Sequence, residues 1–165
     1  MSRWPDYLLI GAAKSGTTAV ARYLQQHPDV FLTEPKEPRY FAFAGSSLEM
    51  PGLPKWMRRE YYTDEASYLR LYAGAAGRRA AGEASVSYIS EAGTAERIHA
   101  RVPEVKILAI LRDPVERAYS NFLFLRSRGL EPIADFEEAL AAEERRKREG
   151  WISWFYYQGK GMYGE

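Results

Sequence analysis

Short apolar runs, each followed by a polar loop and an amphipathic stretch, give this chain its clearest pattern. The run at Tyr7–Gly11 ends in glycine, and beyond a polar loop Val20, Leu24 and His27 recur at helical spacing. The run at 105–112 is rich in β-branched residues and continuously apolar, which is typical of a parallel strand covered on both faces. A strand, a loop and a helix are therefore predicted in succession at both places.

Local signals place the helix ends. The residue before a proline is pushed out of the α region, so His27-Pro28 ends the first helix. Asp113 as N-cap and Pro114 at the first helical position begin a long helix, for which Gly129 supplies a C-cap. Further helices are predicted over 63–73, over 94–101 and from Asp135 to the basic run 145–148.

Spacing also predicts which faces are buried. The long helix carries an apolar stripe that we expect to face the core. Its members are Val115, Tyr119, Phe122 and Leu125. The basic run 145–148 complements the dipole of its helix, and we predict that it is a solvated helix end.

Residues 33–62 do not fit a regular element, because prolines and glycines interrupt them throughout. Loops of this length are uncommon within a compact domain and often form lids or binding segments. We therefore predict a functional loop region here, and an irregular connection without a binding role is the alternative. A short buried strand is predicted after it, within 78–89.

The alternation of strands and helices predicts an α/β protein. We expect a three-layer, P-loop-like fold in which a central parallel sheet is flanked by helices and the ligand lies at the carboxyl ends of the strands. The length of 165 residues suits one domain over 1–165.

Composition narrows the function classes. Lys and Arg number 23 against 22 Asp and Glu, and the resulting net charge of +1 argues against a nucleic-acid partner. The chain has no cysteine, which excludes disulfides and thiolate chemistry, and its two histidines cannot form an all-histidine metal site. No apolar run approaches the roughly 18 residues of a membrane helix. We expect a soluble, cytoplasmic protein with no membrane partner, and the oligomeric state is left open.

The loop GAAKSGTT, residues 11–18, lies between a predicted strand and a predicted helix, where backbone N–H groups can converge on a phosphate. Thr17 stands where the loop of nucleoside triphosphatases has its lysine, and Lys14 lies inside the loop instead. The apolar run 105–112 holds no acid for Mg²⁺ before Asp113, which we assign to capping. A metal-dependent kinase or nucleotide hydrolase is therefore a distant alternative, and a glycine-rich turn with a surface lysine is another.

A second motif, RDPVERAYS, places Arg112 just before a helix N-terminus and Ser120 within that helix. Together these two side chains could bind a second phosphate. The alternative is a solvent-exposed arginine at the end of a strand and an ordinary helical serine.

The two motifs together resemble the sulfotransferases that use 3′-phosphoadenosine-5′-phosphosulfate (PAPS). PKEPRYF, residues 35–41, resembles a third segment found in the bacterial and heparan-type carbohydrate branch. The resemblance implies a loop that binds the 5′-phosphosulfate through Lys14, Ser15, Gly16, Thr17 and Thr18. It assigns the 3′-phosphate to Arg112 and Ser120.

The resemblance also implies an in-line transfer of a sulfuryl group to a hydroxyl or amine, with no required metal. Lys14 would stabilise charge on the leaving phosphate oxygen. Glu37 stands where the family has its general base, and Glu34 is a rival three residues away.

On the acceptor side the chain departs from its glycosaminoglycan-modifying relatives. Arg39 stands where they carry histidine, and Ala84 where they carry lysine. The resemblance suggests that Arg39, Ser85, Ser87 and Tyr88 contact the substrate, with satisfied hydroxyls on a buried strand as the alternative for the last three. We expect the acceptor to be a carbohydrate or a small hydroxylated metabolite.

Family members usually continue beyond the segment that matches residues 151–165. The resemblance therefore predicts an N-terminal portion of a sulfotransferase domain that lacks its C-terminal part. A truncated module that binds the nucleotide without transferring sulfuryl groups is the main alternative to an active enzyme.

Overall fold

The computed structural model describes residues 3–163 and places four parallel strands in one sheet. In chain order they are β1 (Tyr7–Gly11), β2 (Val30–Leu32), β3 (Ala80–Glu83) and β4 (Lys106–Ala109). Their order across the sheet is β2-β3-β1-β4. The prediction of an α/β fold with a parallel sheet is confirmed.

Helices connect and cover these strands. Within residues 3–163 they are α1 (Thr17–Gln26), α2 (Tyr40–Phe43), α3 (Glu65–Arg70), α4 (Thr94–Arg101), α5 (Pro114–Ser127), α6 (Phe136–Ala141) and α7 (Glu143–Arg148). Short 3₁₀ turns lie at Lys55–Glu60, Ala73–Ala75, Ser153–Phe155 and Gly159–Gly161. The helix predicted over 94–101 is confirmed, and α1 ends before His27-Pro28 as the sequence predicts.

Strand β1 is one of the two inner strands of the sheet and pairs with β3 on one side and β4 on the other. Leu8 and Leu9 are fully buried on its two faces, and each stabilises the fold by about 1.5–3 kcal/mol relative to an exposed side chain. Gly82 of β3 faces Tyr7, and a Cβ at this glycine would collide with the Tyr7 carbonyl oxygen. The close approach of β3 to β1 therefore requires glycine at this position.

The strand predicted in 105–112 exists, but the prediction that it is covered on both faces is wrong. Strand β4 is an edge of the sheet, with β1 as its only neighbour among the described strands. Ile107 is 49% exposed, and the rest of the strand is exposed or half-buried. An apolar composition indicates a strand without fixing its place in the sheet.

Only half of the apolar stripe predicted for the long helix is buried. Phe122 and Leu125 face the core, whereas Val115 and Tyr119 are 72% and 49% exposed. The buried face is centred on Ala118, Phe122 and Leu125 because that face packs against the chain around 152–157. The stripe was therefore predicted on the wrong side of the first two turns.

The basic run at 145–148 is not entirely a solvated helix end. The single helix predicted from Asp135 to the basic run divides into α6 and α7. Arg146 of α7 is only 2% exposed. Its guanidinium donates two hydrogen bonds to the buried Glu131 carboxylate, at 2.7 and 2.8 Å, and the Tyr157 hydroxyl donates a third at 2.6 Å. Burial alone would raise the pKa of Glu131, but these donors lower it.

Strand β2 was not predicted, because its three residues are too short to show alternation. It leads into the proline-rich segment 33–62, which the sequence predicts as a loop region and which holds α2 and one 3₁₀ turn. Aromatic packing fixes this segment to the core: the rings of Tyr40 and Tyr68 stack with centroids 4.4 Å apart. The Ala84 N–H, directly after β3, donates a hydrogen bond to the Lys36 carbonyl oxygen at 2.9 Å, which holds the segment at the carboxyl end of that strand.

Candidate active site

The loop between β1 and α1 is shaped by two glycines. Gly11 has φ +146°, and a Cβ there would lie 2.8 Å from Cγ2 of Ile89, so a larger residue would not fit. Gly16 precedes α1 with φ +94°, a left-handed conformation that favours glycine. The loop lies between a strand and a helix, as the motif predicts, and these two glycines shape its ends.

This loop presents donors that the protein leaves unused. No acceptor within residues 3–163 takes the backbone N–H groups of Lys14, Gly16, Thr17 and Thr18. The Ser15 hydroxyl is buried and also lacks a partner among the described residues. Converging N–H groups at the positive end of a helix form a site for an anion. The residues present thus fit a phosphate or sulfate group.

Lys14 joins the two sequence motifs. Its Nζ lies 4.3 Å from the centroid of the Phe124 ring on α5, and its carbonyl oxygen accepts a hydrogen bond from Arg112 at 3.2 Å. Burial lowers the pKa of the Lys14 amine, and the positive charges of Arg112 and Arg128 lower it further. The loop and the beginning of α5 therefore form one electropositive wall.

The start of α5 is capped as the sequence predicts. The Asp113 carboxylate accepts a hydrogen bond from the backbone N–H of Glu116 at 3.0 Å. Arg112 pairs with the Glu116 carboxylate at 3.1 Å, and Ser120 lies half-buried one turn later. Among residues 3–163, no group of three or more His, Asp or Glu side chains is placed to hold a metal ion.

A cleft of about 630 Å³ brings most of the predicted site residues together. Those that line it are Lys14, Gly16, Thr17, Thr18, Glu37, Arg39, Ser87, Arg112 and Ser120. Ser15, Ser85 and Tyr88 are not among the residues that line it, and Glu34 is exposed outside it. Two motifs far apart in the chain thus meet at a single surface.

Glu37 lies on the wall of this cleft between two cations. Its carboxylate oxygens are 2.9 Å from Nζ of Lys36 and 3.1 Å from a guanidinium nitrogen of Arg39. The Lys36 amine also donates a hydrogen bond to the Thr18 hydroxyl at 3.4 Å. Lys36 therefore connects the segment that carries Glu37 to the loop after β1.

Arg39 is held from both ends. Its backbone is left-handed, with φ +60°, and its N–H donates a hydrogen bond to the Ser85 hydroxyl oxygen at 2.9 Å. Its guanidinium lies 4.7 Å from the centroid of the Tyr61 ring. The position of Arg39 is thus set by residues outside the motif that carries it.

A buried carboxyl group, that of Glu83, supports the segment that carries Arg39 through hydrogen bonds. Glu83, at the end of β3, is fully buried and accepts hydrogen bonds from Tyr68 at 2.8 Å, from Tyr88 at 2.7 Å and from Ser85. Burial raises the pKa of Glu83 to about 7, although the three hydroxyl donors oppose the shift. No basic side chain within residues 3–163 pairs with it, in contrast to Glu131.

The hydroxyls assigned to the substrate therefore divide into two groups. Those of Ser85 and Tyr88 are engaged inside the protein, where they also accept the backbone N–H groups of Arg39 and Phe41. The Ser87 hydroxyl is buried, lines the cleft and has no partner within the described chain. Ser87 is thus the one of the three that remains free to contact a ligand.

Lys160 is a further residue of the cleft, and no sequence motif predicts its place there. This residue lies in the 3₁₀ turn Gly159–Gly161, is 8% exposed and lines the same cleft. Burial lowers the pKa of its amine to about 8. A lysine between two glycines resembles a surface turn, so no local signal indicates that it is buried.

Comparison with known proteins shows the family of this chain. Residues 5–156 match the model of the sulfotransferase family. The crystal structure of a sulfotransferase from Alicyclobacillus acidocaldarius is similar, with a TM-score of 0.87 and 38% identity over 98% of this chain and 65% of that one.

Two curated proteins are similar at the level of sequence. Membrane-associated sulfotransferase kil1 of Dictyostelium discoideum is 34% identical over 120 residues, 73% of this chain and 23% of that protein. Human heparan sulfate glucosamine 3-O-sulfotransferase 6 is 30% identical over 120 residues, 73% of this chain and 30% of that protein. The chain thus spans less than a third of the length of either one. None of the helices between residues 3 and 163 is long and apolar enough to cross a membrane.

Proposed function

Because this chain belongs to the sulfotransferase family, we propose that its cleft binds PAPS and transfers the sulfuryl group to a hydroxyl or amine of a carbohydrate or small molecule. The observation that carries the proposal is the meeting of the two anion-binding motifs with Glu37 in one cleft. One similar protein is a heparan sulfate glucosamine sulfotransferase, which supports a carbohydrate as the acceptor.

In this proposal the loop after β1 holds the 5′-phosphosulfate of the donor. The unused N–H groups and the Ser15 hydroxyl match the oxygens of a phosphate or sulfate group. Arg112 and Ser120 hold the 3′-phosphate from the other end of the same wall. The hydrogen bond from Arg112 to the Lys14 carbonyl oxygen links the two proposed phosphate sites.

Glu37 is the proposed general base. Its carboxylate accepts the proton of the acceptor hydroxyl or amine while the acceptor atom forms a bond to sulfur and the bond from sulfur to the phosphate oxygen breaks. Lys14 and the loop N–H groups stabilise the negative charge that develops on the leaving oxygen. The ion pairs with Lys36 and Arg39 hold the carboxylate at the cleft wall, which favours a short path for the proton.

Transfer is tested directly by mass spectrometry. The chain is incubated with PAPS and a panel of simple sugars and glycosides, with a chelator present, and in parallel with ATP and Mg²⁺. We expect sulfated products from PAPS and no phosphorylated products from ATP. Phosphorylated products alone would contradict the proposal. Binding of adenosine 3′,5′-bisphosphate without any sulfated product would favour the module that binds nucleotide without transfer.

A further inference from the structure

Lys160 is a buried cation to which the proposed function gives no role, either in binding PAPS or in accepting the proton of the acceptor. No hydrogen-bond or ion-pair partner for its amine is found within residues 3–163, although the residue lines the cleft and is 8% exposed. Burial of an ammonium group outside ion-pair distance of an acid is costly, and Glu91 is the acid that offsets this cost most. Its lowered pKa reflects that cost. Such a group indicates a place where a ligand supplies the missing negative charge.

The turn that carries Lys160 is rigidly held. The carboxylate of Glu143, which is only 1% exposed, accepts the backbone N–H groups of Gln158 and Gly159 at 2.7 and 2.9 Å. Gly161 packs against Pro114 at the start of α5, where a Cβ would lie 3.0 Å from the proline Cβ. The backbone of this turn is thus preorganised at the cleft wall, and the Lys160 side chain that it carries is buried there.

The cleft is far more positive than the chain. Its lining carries six cationic side chains and two acids, a balance of +4, whereas the whole chain carries +1. The cations are Lys14, Lys36, Arg39, Arg112, Arg128 and Lys160, and the acids are Glu37 and Glu60. The proposed donor accounts for Lys14 and Arg112, and Arg128 lies close enough to Lys14 to lower its pKa. Lys160 interacts electrostatically most strongly with Glu91 and Arg117, which do not line the cleft. Among the residues that do line it, Lys160 interacts with Glu37 and Arg39, on the side of the proposed base.

We propose that Lys160 is a specificity-determining residue of the acceptor subsite and selects an acceptor that carries an anionic group, a carboxylate or a sulfate, near the atom to be sulfated. This inference rests on the proposed function, because it takes the side of the cleft that holds Glu37 to be the acceptor side. Arg39 lies on the same side, but its guanidinium is already paired with Glu37. Lys160 is therefore the cation of this side that is available to an incoming anion.

A matched pair of glycosides tests the inference. The probes are 4-nitrophenyl β-D-glucuronide and 4-nitrophenyl β-D-glucoside, which differ in charge at one carbon. Binding of each is measured by calorimetry, with and without saturating adenosine 3′,5′-bisphosphate, for the natural chain, Lys160→Gln and Lys160→Arg. Lys55→Gln, an exposed lysine outside the cleft, is the control.

We expect the natural chain to bind the glucuronide more tightly than the glucoside. Lys160→Gln should weaken glucuronide binding by about tenfold or more, the loss of one charge-assisted hydrogen bond, and leave glucoside binding within about twofold. Lys160→Arg should restore most of the preference. Equal binding of the two glycosides by the natural chain, binding of neither, or an equal effect of Lys160→Gln on both would overturn the inference.

The bisphosphate titration separates this inference from the proposed function. Failure of the natural chain to bind the bisphosphate would contradict the proposed donor site, while the glycoside titrations without nucleotide would still report on Lys160. If Lys160→Gln instead raised the KM for PAPS with unchanged glucuronide affinity, the amine would belong to the donor site and the inference would be wrong.

Discussion

The two halves of the cleft are built in different ways. The donor half, the part of the cleft that we propose binds PAPS, consists of two continuous segments, the loop 11–18 and the start of α5, and each segment follows a strand of the sheet. The acceptor half is assembled from side chains on segments far apart in the chain, such as Glu37, Ser87 and Lys160. Local backbone geometry thus sets the donor half, whereas tertiary packing sets the acceptor half.

The two halves also differ in the residues that hold their binding groups in place. The donor half depends on glycine conformations, a helix N-terminus and an N-cap, all of which are local features. The acceptor half depends on Glu83, a buried carboxyl group without a cationic partner in the described chain. We therefore expect substitutions in the two halves to separate nucleotide binding from acceptor chemistry.

The largest effect is expected for Glu37→Gln. This change removes the proposed base while preserving the size of the side chain, so kcat should fall by about a thousandfold. Bisphosphate affinity should stay within about twofold, because the carboxylate is not part of the donor half. Steady-state transfer and calorimetry check both statements, with Glu34→Gln as the matched control. An equal loss in the control would show that the base has been misassigned.

Lys14→Ala is expected to affect the donor half in both assays. Removal of a cation at the leaving phosphate oxygen should lower kcat by about a hundredfold and also weaken bisphosphate binding. Arg22→Ala on the exposed side of α1 removes the same charge outside the cleft and should have little effect. Unchanged kcat in Lys14→Ala would contradict the role of the loop.

Glu83→Gln tests the support of the acceptor half. The raised pKa, about 7 against an ordinary value of 4.5, means that the folded state binds a proton that the unfolded state has already lost between these pH values. The contribution of Glu83 to the free energy of unfolding therefore falls as pH rises from about 4.5 to about 7, by about 1.4 kcal/mol per pH unit at most.

Urea unfolding across this pH range measures the effect. The Glu83→Gln variant should lose this part of the pH dependence, and the exposed Glu96→Gln control should retain it. Identical pH profiles for Glu83→Gln and the natural chain would show that the carboxyl group does not bear the expected burial cost.

The smallest effect is expected for Ser120→Ala. The loss of one hydrogen bond from a neutral hydroxyl to the charged 3′-phosphate should weaken bisphosphate binding by about tenfold. Ser127→Ala is a matched control, since this serine lies on the same helix with its hydroxyl bonded to the Phe124 carbonyl oxygen and outside the cleft. Equal affinities of the two variants would remove Ser120 from the donor half.

The same division explains what the sequence could predict. The loop 11–18 and the helix that begins after Asp113 are encoded by neighbouring residues, so their motifs and caps predict both the elements and their proximity to phosphate. The exposure of Ile107 could not be predicted, because the place of a strand in the sheet depends on pairing partners elsewhere in the chain. The burial of Arg146 and Lys160 depends in the same way on distant segments.

Glu37 lies between these extremes. Its place in a recognisable segment indicates a function, but the ion pairs to Lys36 and Arg39 and the support from Ser85 and Glu83 come from tertiary packing. The sequence therefore suggests Glu37 as a functional residue, but it does not specify the ion pairs and hydrogen bonds that position its carboxylate.

The central claim is that the loop after β1 and the start of α5 form one site for a nucleotide with phosphates at both the 3′ and 5′ positions. Calorimetry with adenosine 3′,5′-bisphosphate and with ATP plus Mg²⁺ tests it, for the natural chain, Lys14→Ala, Arg112→Ala and the Arg22→Ala control. We predict preference for the bisphosphate and a loss of about tenfold in affinity for each of the two cleft variants, with the control unchanged. Preference for ATP with Mg²⁺, or equal affinities for Arg112→Ala and the control, would contradict the claim.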